Sequence, residues 1–85
     1  MKNKEITSEY KIDYDLYTVD ELVKIIKFFQ LIEKTKTRRV AKDELISAYN
    51  EYRNILKNKA LEKEYDRMLF EKSHVSIYDV MKNVL

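Results

Sequence analysis

Few residues in this chain are equipped for chemistry. It has a single histidine, His74, and no cysteine. A lone imidazole has no second ligand at zinc-binding spacing such as His-x-x-x-His. No nucleophile or partner acid accompanies it, so His74 reads as a helix-end or loop residue and not as a general base. Asp13-Tyr14-Asp15 places two carboxylates two residues apart. On an extended segment they share a face and could converge on Mg²⁺, but no third acid and no glycine turn stand at motif spacing. The pair is therefore read as a solvated edge of the arm or a cap-side charge. Seven tyrosines, at 10, 14, 17, 49, 52, 65 and 78, are many for a chain without tryptophan. They read as core and core-rim rings whose hydroxyls need partners, with interface anchoring as the functional alternative.

The charge distribution carries the remaining candidate. Lys34, Lys36, Arg38, Arg39 and Lys42 fall in nine residues without an acid, and the flanking segments are each slightly acidic. This one stretch therefore holds the whole +2 excess of the chain. Such a cluster can hold phosphate, through arginine especially, which makes these five residues the candidate anion site. Nucleic-acid binding ordinarily adds stacking aromatics, and the stretch has none. Lys34 and Lys36 also suit the negative end of a preceding helix.

Composition bounds what must position these residues. At 85 residues the chain is expected to be a single domain over 1–85. Glycine and proline are both absent, which excludes a glycine-rich phosphate loop and disfavours hairpins that need positive-φ turns. Without cysteine there is no disulfide scaffold and no thiolate metal site. No apolar run approaches the roughly 18 residues of a membrane span, and residues 1–9 carry no signal-like apolar core. A cytoplasmic location, with no membrane partner, is the expectation.

The apolar spacing predicts an all-α fold: a small bundle of about four helices, three main and one short and C-terminal, behind an extended N-terminal arm. Thr18-Val19-Asp20-Glu21 is a capping box opening the first helix. Leu22, Val23, Ile25, Ile26, Phe29 and Ile32 follow at helical spacing, and Phe28 and Leu31 widen the face, to an end near Glu33 or Lys34. The second helix opens near Lys42, with Leu45, Ala48, Tyr49, Tyr52, Ile55 and Leu56 inward. Asn58 caps the third, with Leu61, Tyr65, Met68 and Leu69 inward. Ser76 caps the fourth, with Ile77, Val80, Met81 and Val84 inward. His74 is placed in the left-handed region at the end of the third helix, a position where glycine is otherwise expected. In the arm, residues 9–17, Tyr10, Ile12 and Tyr14 alternate with charged residues and are expected to lie against the bundle. Residues 1–8 are expected to fray.

The ordered set of these features resembles one known family. Tyr10-x-x-Asp13-Tyr14-Asp15, Glu21-Leu22-Val23-x-x-Ile26-Lys27-Phe28-Phe29, Ile32-Glu33-Lys34, Val40-x-x-x-Glu44-Leu45-x-x-Ala48-Tyr49, Lys59-Ala60-x-Glu62-Lys63 and Ser73-x-x-Ser76-x-Tyr78 match in order and spacing. Together they are similar to uncharacterised protein family 0223 of Gram-positive bacteria, from about Tyr10 to Lys82. The chain is divergent within that pattern. Lys11 stands where the family has proline, Leu16-Tyr17 where it has tryptophan, Leu56-Lys57 where it has Val-Pro, and His74 where it has glycine. The resemblance implies a small all-helical fold and carries no assigned activity.

Two readings of function follow from the residues. The first is a non-enzymatic interaction or accessory module that binds an unknown protein partner or itself, as in a homodimer. The alternative is a weak binder of nucleic acid or a phosphate ligand through residues 34–42. No catalytic residue, cofactor or metal is expected, because paired acid–base groups in a pocket are missing from the sequence.

Overall fold

The structure is a computed structural model that describes residues 10–85. The expected fraying of residues 1–8 lies outside the described residues. Four α-helices follow the arm: α1 Val19–Lys34, α2 Lys42–Leu56, α3 Lys59–Ser73 and α4 Ile77–Val84. The described residues contain no strand.

Helix starts follow the capping residues. Thr18 Oγ1 accepts the Glu21 amide at 3.1 Å, and Glu21 Oε1 accepts the Thr18 amide at 3.0 Å, closing the box at α1. Asn58 Oδ1 accepts from the Ala60 and Leu61 amides at 2.8 and 3.3 Å. Ser76 Oγ accepts the Asp79 amide at 3.2 Å. Asp66 of α3 adds a long-range cap that spacing does not reveal, accepting the Ile77 amide at 2.8 Å and so pinning the start of α4.

Helix ends show how the chain manages without glycine. His74 sits in the left-handed region at φ 58°, as expected, and its amide donates to the Phe70 carbonyl at 2.7 Å. Lys57 does the same at the end of α2, at φ 52°, its amide donating to the Arg53 carbonyl at 3.2 Å. Left-handed geometry costs an L-residue with a Cβ roughly 1–2 kcal/mol. Lys57→Gly is therefore expected to raise stability by up to about 1 kcal/mol, after the larger chain entropy of glycine is offset. A urea midpoint measures it; a lower midpoint would contradict the reading of Lys57 as a strained cap.

The arm departs from a simple extended strip. Burial alternates as expected, with Tyr10 buried, Ile12 and Tyr14 half-buried, and Lys11, Asp13 and Asp15 exposed. Yet Tyr14–Leu16 closes into a 3-10 turn in place of an extended run. Asp13 causes this: its carboxylate accepts the Asp15 amide at 3.2 Å and caps the turn.

An aromatic centre binds the helices together. Phe28 stacks on Tyr52 at 4.5 Å between centroids, and Phe29 meets Tyr10, Tyr52 and Tyr65 at 5.2, 5.7 and 5.8 Å. These separations lie in the range where ring pairs gain energy beyond their buried area. Ile25, Ile32, Leu45, Leu56, Leu69, Val75, Ile77 and Met81 complete the buried cluster. Three positions differ from the expected stripes. Tyr78 is exposed, whereas Val75, in the α3–α4 turn, is buried. Val23 also stays exposed, because it precedes Ile25 by two residues and so lies about 160° around α1 from it.

Candidate functional site

The basic stretch leads from the end of α1 to the start of α2, and all five candidate cations are exposed. The backbone amides of its first half are committed to the last turn of α1: Thr35, Lys36, Thr37 and Arg38 donate to the carbonyls of Ile32, Glu33, Lys34 and Lys34. The Thr35 and Thr37 hydroxyls also donate back, to Ile32 and Lys34. Lys36 reaches away from the loop, and its Nζ donates to the Ser73 carbonyl at 2.5 Å, at the end of α3. Lys34 and Lys36 therefore complement the negative ends of α1 and α3.

Lys36 belongs to a network that the sequence analysis did not find, centred on Glu33. Tyr10 donates its hydroxyl to Glu33 Oε1 at 2.8 Å, and the Ser73 hydroxyl donates to Oε2. Lys72 Nζ lies 3.5 Å from the same Oε2 and 5.1 Å from the Tyr10 ring centroid. One carboxylate thus ties the arm to α1 and α3. A polar residue one position past a buried isoleucine is the only trace of it in the sequence.

The tyrosines divide by environment. Tyr17 and Tyr65 share a hydrogen bond between their hydroxyls at 3.1 Å, and burial together with this bond pushes the Tyr17 phenol up from its ordinary range. The Tyr14 and Tyr52 hydroxyls are buried without a hydrogen-bond partner among the described residues. Burial raises both phenols, and for Tyr52 the nearby carboxylates of Glu62 and Asp66 add to the effect. An unsatisfied buried hydroxyl costs about 1–3 kcal/mol. Tyr52→Phe is accordingly expected to raise stability by about 1 kcal/mol. Its pH dependence has a definite sign. The folded phenol titrates above the unfolded value near 10, so its contribution is complete below pH ~10 and is lost as pH rises beyond it, by about 1.4 kcal/mol per pH unit. Tyr52→Phe should flatten this alkaline decline in denaturation midpoints; an unchanged slope would contradict the assignment.

The other chemical candidates are not assembled into a site. Asp13 serves as the cap of the 3-10 turn, and His74 as the end of α3 with Phe70 packed edge-on at 6.1 Å. Among the described residues, no group of three or more His, Cys, Asp or Glu is gathered for a metal. A hollow of about 370 Å³ between α2, α3 and α4 has interleaved charges, Arg53, Lys59 and Lys63 against Glu62 and Asp66. Arg53 and Glu62 already face each other there at 3.8 Å.

A larger groove, about 640 Å³, runs between α1 and α2. Phe28, Leu31 and Ala48 contribute to its apolar lining, with Val23 on the α1 side. The α1 wall carries Lys24, Lys27 and Lys34 against a single acid, Asp20, which lies 3.6 Å from Lys24. The α2 wall carries Glu44 and Glu51. Leu16 and Val19 lie beside the start of α1, and with Val23 they are exposed large apolar side chains. No helix of the described residues is long and apolar enough to cross a membrane.

No solved structure matches the chain significantly. A UPF0223 protein of Bacillus cytotoxicus is 34% identical over 70 residues, covering 82% of this chain and 78% of that one. A UPF0223 protein of Staphylococcus epidermidis is 34% identical over 76 residues, covering 89% and 82%. One of Streptococcus agalactiae is 30% identical over 78 residues, covering 91% and 84%. The model of the uncharacterised protein family UPF0223 matches residues 4–85, which agrees with the ordered motifs and the helical fold: the chain belongs to this family.

Proposed function

We propose that this chain is a non-enzymatic, cytoplasmic interaction module that recognises protein surfaces through the α1–α2 groove. The observation that carries the reading is the uncovered face of α1. Helix α1 leaves Val19 and Val23 in solvent beside a groove with an apolar lining and walls of opposite charge. Exposed apolar surface of this kind, rimmed by charge, marks interaction sites. Tyr10, Tyr52 and Tyr65 are buried in the core, and Lys34 and Lys36 lie at helix ends, which supports the groove over the basic stretch.

Affinity capture from host extract, with and without nuclease treatment, tests this. The wild-type chain is compared with Val23→Glu and with Arg38→Glu combined with Arg39→Glu. Val23→Glu is expected to lose the retained protein while the loop reversal keeps it. Loss on loop reversal alone, or binding of nucleic acid that falls steeply with salt, would replace this reading with the anion-binding one.

A further inference from the structure

We infer that the occupant of the α1–α2 groove is a second copy of this chain, an inference that rests on the interaction reading above and names its partner. The argument is charge complementarity. Along the groove, one wall is predominantly basic (Lys24, Lys27, Lys34) and the other acidic (Glu44, Glu51). A two-fold axis lying along the groove turns one copy face-down on the other and exchanges left for right. The lysine wall of each copy then lies on the glutamate wall of its mate, and α1 of one runs antiparallel to α2 of the other. The perpendicular axis would set lysines on lysines, so the charges select a single arrangement. A closed two-fold pair of this type uses one patch twice, which requires a patch complementary to itself, and this groove has that property. The same operation brings Val23 of both copies to one end of the interface, where each is otherwise left in water.

The test is the mass of the purified chain by light scattering, with two reversed variants. Lys24→Glu with Lys27→Glu makes both walls acidic; Glu44→Lys with Glu51→Lys makes both basic. All four side chains are exposed, and circular dichroism checks that each variant keeps its helices. The wild type is expected at twice its 10.3 kDa chain mass. Each variant alone is expected at the single-chain mass, and an equimolar mixture of the two is expected to return to the doubled mass. A wild type that stays at the single-chain mass at millimolar concentration, a variant that pairs unaided, or a mixture that remains single would each overturn the proposal. Failure here is distinct from failure of the broader reading. A monomer whose Val23→Glu variant still loses a different protein removes the self-pairing alone, whereas a monomer with no groove-dependent capture removes both.

Discussion

Phe29→Ala is expected to leave a marginally folded chain. Phe29 is fully buried and meets Tyr10, Tyr52 and Tyr65, so its ring joins the arm, α2 and α3 to α1. Truncating a buried phenylalanine costs about 3–5 kcal/mol, the lost transfer energy plus the cavity left behind. Folded proteins hold roughly 0.05–0.15 kcal/mol per residue, or about 4–13 kcal/mol for a chain of this size. One substitution therefore removes from about a quarter of the total to all of it. Urea denaturation followed by circular dichroism should show the midpoint collapsing toward zero denaturant, with loss of helix in buffer if the starting stability lies at the low end. A loss below about 1.5 kcal/mol would mean that the aromatic centre does not join the elements as described.

Glu33→Ala is expected to release the arm. The substitution leaves the hydroxyls of Tyr10 and Ser73 without their acceptor and Lys72 without its counter-charge. Hydrogen bonds to a charged group are worth about 1.5–3 kcal/mol each, but the Glu33 side chain is 23% exposed, so water replaces part of the loss. About 2 kcal/mol is the expected cost, and Glu33→Gln should recover part of it by keeping one acceptor oxygen. The more telling readout is local. Trypsin should cleave after Lys11 much faster in Glu33→Ala than in the wild type, while the helices keep their hydrogen-exchange protection. Unchanged cleavage would show that Tyr10 burial holds the arm without the carboxylate.

Much of this fold is legible in the sequence because its signals are local. The Thr18 box, the Asn58 and Ser76 caps and the left-handed His74 each depend on residues within four positions of one another, and each forms as expected. The apolar stripes locate most of the core for the same reason. What sequence spacing does not reveal is long-range: Glu33 gathers Tyr10, Lys72 and Ser73 across 23 to 40 residues, and Asp66 reaches the start of α4. Lys57 was not distinguishable either, because lysine has no special preference for the left-handed region. The basic stretch illustrates the converse. Its charge was plain in the sequence, but the hydrogen bonds that commit its amides to α1 depend on how the helix ends. The groove charge, lysines on α1 and glutamates on α2, becomes visible only when the two helices are laid side by side.

Site-specific photo-crosslinking in host cells tests the central claim most directly, with the reactive residue placed at Val23 in the groove or at Arg39 in the basic stretch. The account predicts a protein adduct from Val23, a second copy of the chain prominent within it, and none from Arg39. Adducts from Arg39 alone, or adducts to nucleic acid, would contradict it.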